Sequence, residues 1–141
     1  EPYVWTASTL GGNPISCAAA WAALDHLEQP GIYTHLHELG AYLRDGLQRV
    51  MNEQGVTGQV IGDGPLAQFI FSSEPVYDYR STRAGDRAKA RRVLLGLIKQ
   101  GIFLNPMGTK LYLSTEHTFD HCDTFLAAFQ QSLQHDIAIS D

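Results

Sequence analysis

The residues best suited to bind an anion are two neighbouring hydroxyls, Ser8 and Thr9, which precede a glycine pair, Asn13 and Pro14. A glycine pair lets the backbone turn sharply or take a positive φ angle. Asn13 can accept hydrogen bonds from the amides of a first helical turn, and Pro14 suits the first helical position. Hydroxyls and backbone amides at a helix start form a cradle for an anion such as phosphate. A capped helix start without any ligand is the alternative interpretation of the same residues.

The histidine and cysteine spacings do not indicate a second reactive site. His117 and His121 are four residues apart, as helical zinc ligands often are. No glutamate takes the metalloprotease position, however, and His117 precedes the predicted helix start. Cys122 follows His121 directly, and neighbours in a helix point about 100° apart, so a buried core cysteine is expected. The sequence contains neither a Gly-x-Ser-x-Gly elbow nor a P-loop, and it predicts no metal site.

Composition and charge narrow the class of protein. The chain has 141 residues, 44% of them hydrophobic and 18% charged, with a net charge of −5. This length suits one compact domain with ample core, and the acidic balance argues against nucleic acid as a partner. Cations are densest from Arg80 to Arg92, with Asp78 and Asp86 close by. A solvated helix face explains that run better than a binding patch.

Cysteine content and hydropathy suggest a location. Cys17 and Cys122 are far apart in the sequence and make no disulfide framework, so a reducing cytoplasm is expected. No apolar run approaches the roughly 18 residues that are needed to span a bilayer. The chain starts at Glu1 without an initiator methionine, so a trimmed or partial start is also expected.

The elements that must position these residues alternate irregularly along the chain. Apolar periodicity predicts helices at 14–28, 32–54 and 82–100, and from after Thr118 to about Gln134. β-Favouring runs predict strands at 59–61, 66–72, 102–104 and 110–114. This order predicts an α+β fold in which helices cover one face of a small, mostly antiparallel sheet of about four strands.

The same periodicity predicts which helix faces form the core. Gly40 and Gly46 interrupt the second helix at about 1 kcal/mol each relative to alanine, so one of them is expected where another element comes close. The predicted core faces of the second, third and last helices are Ile32, Leu36, Leu39, Leu43, Leu47 and Val50; Ala84, Ala88, Leu95 and Ile98; and Cys122, Phe125, Phe129 and Leu133.

The segment from Ser8 to Pro14 and the alanine-rich stretch after it resemble the Thr-containing phosphate loop of class III pyridoxal-phosphate aminotransferases. That family includes glutamate-1-semialdehyde 2,1-aminomutase. The resemblance continues through nearly the whole chain, in Pro30–Tyr33, Gln59–Leu66, Gly101–Pro106 and Leu113–Thr118. It implies the C-terminal small domain of a fold-type I enzyme that uses pyridoxal 5'-phosphate (PLP).

This resemblance also implies how the chain is divided. Residues 1–14 correspond to a remnant of the large domain that carries the phosphate loop, and residues 15–30 to a domain-bridging helix. Residues 31–135 correspond to the small domain and residues 136–141 to a tail. An N-terminal large domain would then be a missing partner of this chain, and the parent enzyme would be a homodimer in which Ser8 and Thr9 contact the cofactor phosphate in the partner subunit's site.

A second site is implied by the resemblance at the turn from Asn105 to Thr109, which approaches the substrate in related enzymes. Met107, Gly108 and Thr109 are therefore candidate substrate-side residues. Aminomutases usually carry a glutamate near here in a slightly longer loop, and its absence favours an ordinary transaminase. A hairpin turn without ligand contact is the alternative interpretation.

None of the three lysines, Lys89, Lys99 and Lys110, has the sequence setting of the family's Schiff-base lysine. The resemblance places that lysine before Glu1, so no catalytic residue is assigned to this chain. The expected function is part of an aminotransferase that moves an amino group between an amino acid or amine and a keto acid, inactive without its lysine. The alternatives are intramolecular amino transfer of the aminomutase type, and a stand-alone α+β dimerisation or ligand-binding module.

Overall fold

The structure, a computed structural model, describes Thr9, residues 11–105 and residues 108–140, with the backbone alone at residues 139 and 140. Two of the predicted site residues, Ser8 and Met107, lie outside these residues. The chain divides into two compact units, Glu1–Tyr33 and Thr34–Asp141. Within the described part, no helix is long and apolar enough to cross a membrane.

The first unit contains helix α1, Pro14–Leu27, which begins where the sequence predicts. Proline occupies its first position, where the missing N–H has no helical partner to lose. None of its residues is buried, and Ile15, Trp21 and Leu24 are 81%, 71% and 59% exposed. A helix that is apolar on all sides is typical of a protein interior, so α1 has the composition of a helix that packs against further protein.

Helix α2, Ile32–Glu53, supplies a large share of the core. Its predicted apolar face is confirmed except at its first residue, since Ile32 is half-buried; the buried members are Leu36, Leu39, Leu43, Leu47 and Val50. Gly55 follows the helix with a φ angle of 64°, a conformation that glycine adopts without strain.

Among the described residues, the sheet has three antiparallel strands, which lie side by side in chain order. Strand β1 is Gln59–Ile61, β2 is Leu66–Ile70 and β3 is Lys110–Tyr112. The α+β class is confirmed, but the sheet has one strand fewer than the sequence predicts. Residues 102–104 form no ladder; the amide of Ile102 donates to the Leu97 carbonyl oxygen at 3.0 Å instead, because the chain there is still closing the preceding helix.

One face of the sheet is covered by helices, and the other is exposed at its Leu66 end while Ile70 is buried at the far end of β2. Ala67 pairs with Leu111 in the register between β2 and β3, and both are buried with Phe69. Leu66 pairs with Tyr112, and these side chains are exposed. Alternation along a strand sends neighbouring side chains to opposite faces, so the helices lie on the Ala67 side.

Helix α3, Arg87–Lys99, begins later than predicted and buries a different face. A 3-10 turn at Ser81–Ala84 precedes it, and Asp86 caps it by accepting the Lys89 amide at 2.9 Å. The predicted face of Ala84, Ala88, Leu95 and Ile98 is exposed, and the buried residues are Val93, Leu94 and Leu97.

The position of α4 explains this difference. Gly96 of α3 lies against Ser132 of α4, where an added Cβ would be 2.8 Å from the serine Oγ. Arg92 pairs with Asp136, whose side chain is 3% exposed. The two helices therefore meet along the Arg92–Gly96 side, which turns Leu95 outwards.

Helix α4, Phe119–Ser140, continues past Gln134 through the segment that was expected to be a tail. Its predicted core face is confirmed, because Cys122, Phe125, Phe129 and Leu133 are buried. The helix is held over β2 by ring contacts, with the Phe69 and Phe129 centroids 4.9 Å apart.

Candidate functional site

Thr9, the first candidate phosphate ligand, is exposed. The helix start beside it is capped by Asn13, whose Oδ1 accepts the amides of Ile15 at 3.0 Å and Ser16 at 3.1 Å. The Asn13 carbonyl oxygen accepts the Cys17 amide at 2.9 Å. Three amides at the start of the helix are thus already used, and the Thr9 hydroxyl is one donor that this segment can offer an anion.

The charge around Thr9 limits what this segment can do alone. The chain contains no lysine or arginine before Arg44. A phosphate dianion in contact with Thr9 would receive a hydroxyl hydrogen bond from this segment but no cation. Phosphate sites are usually completed by positive charge, so the neutralising groups would have to come from another part of the protein.

The second candidate segment is a hydrogen-bonded turn in the Thr34–Asp141 unit. The Gly108 amide donates to the Asn105 carbonyl oxygen at 3.2 Å. Thr109 is buried, and its hydroxyl donates to the Phe69 carbonyl oxygen of β2. The Thr109 hydroxyl is therefore occupied in attaching the turn to the sheet, which leaves Gly108 as the described member of this group that can meet a substrate.

We expect Thr109→Val to lower the free energy of unfolding by about 1–2 kcal/mol, because a buried carbonyl oxygen of Phe69 loses its donor. Valine keeps the shape of threonine, so the change isolates the hydroxyl. Thr124→Val is the matched control, since the Thr124 hydroxyl donates to the Asp120 carbonyl oxygen at 2.9 Å on an exposed helix surface. Urea-induced unfolding measures both variants, and equal effects would contradict the assigned role of Thr109.

A cavity of about 600 Å³ lies beside the turn, between residues 102–105, β3 and the start of α4. Its walls are largely apolar and include Leu43, Leu111 and Phe125. Polar groups line it as well, namely Asn105, Lys110, Glu116, His117 and His121. Gly108 and Thr109 are not among the lining residues.

The two histidines in this wall have the same local geometry. The Ser114 amide donates to Nδ1 of His117 at 3.0 Å, and the Thr118 amide donates to Nδ1 of His121 at 3.2 Å. An Nδ1 that accepts an N–H carries no proton, so each neutral ring bears its hydrogen on Nε2. His121 thereby takes the place of the glutamate or glutamine in a capping box that begins at Thr118.

Sequence spacing identified this histidine pair but not its role. Both Nδ1 lone pairs are used by backbone amides, which removes them as metal ligands. Among the residues that the structure describes, no group of three or more His, Cys, Asp or Glu side chains could hold a metal ion. His121 therefore belongs to the start of α4, His117 closes the turn before it, and both histidines line the cavity.

Other side chains that could act as nucleophiles include Cys122 and the three lysines. Burial raises the pKa of the Cys122 thiol, with the nearby Asp123 adding to the shift, so the thiol stays protonated. Lys89 lies 3.7 Å from Asp136 and 5.5 Å from the centre of the Phe71 ring. Lys99 and Lys110 are exposed.

Known proteins are similar to this chain in sequence. The family model described as Aminotransferase class-III matches residues 4–133. The chain is 35% identical over 124 residues to the glutamate-1-semialdehyde 2,1-aminomutase of Desulfosudis oleivorans, which covers 87% of this chain and 29% of that protein.

Solved structures agree as well. An omega-transaminase from Sphaerobacter thermophilus matches with a TM-score of 0.83 and 32% identity, over 94% of this chain and 30% of its own. A transaminase with PLP bound shares the fold at a TM-score of 0.77 and 24% identity, over 96% of this chain and 30% of its own.

The chain thus spans about 30% of the length of the proteins that it matches. The match runs from the phosphate-loop segment into α4, and it includes both candidate segments. On this match, the chain belongs to the class-III aminotransferase family.

Proposed function

We propose that this chain is the C-terminal part of a PLP-dependent aminotransferase, and that it contributes Thr9 to the cofactor-phosphate site. The observation that carries the proposal is the exposed Thr9 residue in the loop that leads to an Asn13-capped helix, inside the region that the family model matches. Family membership supports PLP as the cofactor, and one protein of the same fold is described with PLP bound.

When bound, PLP supplies the electron sink for amino-group transfer. The part of this chain is to bind and orient. The Thr9 hydroxyl donates to a phosphate oxygen, and Asn13 fixes the start of α1 so that the preceding loop has a defined end. The positive φ angle of 77° at Gly12 turns the chain between these two residues.

The lysine that bonds to the cofactor lies, in this proposal, outside residues 1–141. Lys89 belongs to the ion-pair group around Asp136, and no feature of Lys99 or Lys110 marks either as a cofactor ligand. To test this, the complete protein is loaded with PLP, reduced with borohydride and digested for peptide mapping by mass spectrometry. Stoichiometric label on a lysine outside this chain supports the proposal, and stoichiometric label on Lys89, Lys99 or Lys110 contradicts it.

In the complete protein, we expect Thr9→Ala to weaken PLP retention by about tenfold or more. The reason is that a hydroxyl-to-dianion hydrogen bond contributes about 1.5–3 kcal/mol. The dissociation constant is measured by equilibrium dialysis with absorbance detection of the cofactor. Thr9→Ser keeps the hydroxyl and should bind within a few-fold of the unchanged protein. Equal affinity of the alanine variant would remove Thr9 from the site.

The proposed organisation of the chain follows the family resemblance. Residues 1–14 carry the phosphate loop, residues 15–30 form a bridging helix and residues 31–135 form the small domain, whose helix α4 continues through the segment after residue 135. The absence of buried residues in α1 supports a large-domain partner that would cover this helix. We further propose a homodimer in which Thr9 reaches the partner subunit's cofactor.

The reaction itself has two candidates that use the same site. The turn at 105–109 lacks the aminomutase glutamate, which favours intermolecular transamination with a keto acid. The 35% identity to an aminomutase favours intramolecular transfer. Assays of the complete protein separate them: isomerisation of glutamate-1-semialdehyde without a keto acid indicates an aminomutase, and a requirement for a keto acid indicates a transaminase.

A further inference from the structure

Two tyrosines on the surface are unusually exposed for aromatic residues. Tyr77 is 84% and Tyr79 is 80% exposed. Four arginines in the following turn and in α3 are exposed as well. Together these side chains are termed the Tyr/Arg surface: Tyr77, Tyr79, Arg80, Arg83, Arg87 and Arg91.

The loop that carries the tyrosines is held by its own hydrogen bonds. Oγ of Ser81 accepts the amides of Tyr77 and Asp78, each at 3.0 Å, and the Thr82 hydroxyl donates to the Tyr79 carbonyl oxygen at 2.6 Å. The loop is tied to β1 by the Val76 amide, which donates to Oε1 of Gln59 at 3.1 Å. The rings are therefore presented on a fixed backbone, which reduces the entropy lost on binding.

A carboxylate inside the same loop adds to its order. The Ser81 amide donates to Oδ1 of Asp78 at 2.7 Å, and this hydrogen bond lowers the pKa of Asp78. Its ionised form is thus the one that the loop prefers. That charge is directed inward to the turn, so it does not neutralise the neighbouring arginines by direct pairing.

The arginines of the surface have no acidic partner among the described residues. Asp136 pairs with Lys89 and Arg92, and Asp86 accepts the Lys89 amide. Arg87 and Arg91 are four residues apart, so they share a helix face. Their charges are therefore available to a binding partner. The run from Arg80 to Arg92, which composition alone assigns to a solvated helix face, is thus a candidate binding surface.

Charge is also strongly segregated along the chain. Six of its ten lysines and arginines lie between Arg80 and Arg92, where Asp86 is the single acid. The other four cations share the chain with fourteen acidic residues. Nucleic acid or an anionic bilayer would extend past the Tyr/Arg surface and be repelled by the acidic residues elsewhere in the chain. A short acidic segment would not extend that far.

We propose that the Tyr/Arg surface is a docking surface for an acidic segment of a partner protein. Tyrosine and arginine are enriched among the residues that dominate protein interfaces. Arginine forks pair with carboxylates in bidentate geometry, and the exposed tyrosine rings supply apolar area in the same segment of the chain. The inference does not depend on the proposed aminotransferase function.

The probe is a fluorescein-labelled peptide of Glu-Glu-Leu repeats, titrated with the complete protein and followed by fluorescence anisotropy. We expect Tyr77→Ser combined with Tyr79→Ser to weaken binding about tenfold or more. Arg80→Gln combined with Arg83→Gln should weaken it similarly and flatten its salt dependence. Lys99→Gln combined with Lys110→Gln removes the same charge elsewhere and should change affinity by no more than about twofold.

Three results would overturn the proposal: no peptide binding, peptide binding that the tyrosine variants leave unchanged, or tighter binding of a labelled thymidine oligonucleotide or of phosphatidylserine vesicles than of the peptide. Circular dichroism confirms that each variant is folded. If the tyrosine variants lose structure, the arginine pair decides the question, because its exposed side chains make no hydrogen bond with the loop among the described residues.

Discussion

Replacing Gly40 by alanine is expected to destabilise the chain by about 3 kcal/mol or more, because α2 crosses the β1–β2 turn at this residue with no space for a side chain. A Cβ at Gly40 would lie 1.8 Å from the Gly64 carbonyl oxygen. That oxygen also accepts a hydrogen bond from Arg44 at 2.6 Å, and a second runs from Arg44 to the Leu66 carbonyl oxygen at 2.9 Å. Relief of the overlap would displace both hydrogen bonds.

The same helix provides a graded control. A Cβ at Gly46 would come within 2.4 Å of Cδ1 of Leu126, the far end of a flexible side chain. Gly46→Ala should therefore be milder, because a rotamer can change where a backbone carbonyl cannot. Gly108 has open space and no positive φ angle, so its alanine variant should stay within about 0.5 kcal/mol. Urea-induced unfolding of the three variants would contradict the assignment if Gly40 were not the most sensitive.

Gly40 also illustrates what sequence alone can predict. Two glycines inside a long amphipathic helix indicate that another element comes close, and the structure confirms a close approach at both. Sequence could not tell which approach is rigid, since that depends on whether a backbone or a side chain faces the glycine. The partner residue, Gly64, belongs to a turn more than twenty residues away.

Helix α3 shows where periodicity fails. The apolar residues of its second half occupy more than one face, so that spacing alone permits several choices of buried side. The choice is made by α4, through the Asp136 ion pairs and the close approach of Gly96 to Ser132. Tertiary packing here decides which face of α3 is buried, and the sequence of α3 alone does not predict that choice.

The sequence predicts which residues belong to the candidate site, but it does not predict all of their hydrogen-bond partners. The Asn13 cap followed from residue types, and the structure confirms it. The attachment of Thr109 to Phe69 did not follow, because it depends on β3 pairing beside β2 across forty residues of chain. The Thr9 and Gly108 assignments stay predictions until the complete protein is tested.

Removal of the Phe129 ring is expected to lower the free energy of unfolding by about 3–5 kcal/mol, the range for phenylalanine to alanine changes in a core. Phe129 is fully buried in α4 and joins this helix to β2. Its ring lies 4.9 Å from that of Phe69 in β2 and stacks at 6.2 Å with Phe125. Phe69 contacts Phe71 in turn at 5.6 Å, so the cavity left by alanine would open at the centre of an aromatic cluster.

Two matched variants show whether the loss of stability comes from packing in the core or from the loss of a phenylalanine ring as such. Phe129→Leu retains most of the volume and should lose only about 1.5 kcal/mol, which keeps the test informative if the alanine variant does not fold. Phe103→Ala removes the same ring from a site that is 78% exposed, and it should change stability by no more than about 0.5 kcal/mol. A loss at Phe129 as small as that at Phe103 would mean that α4, which carries His121 of the cavity wall, is not held over β2 by this ring.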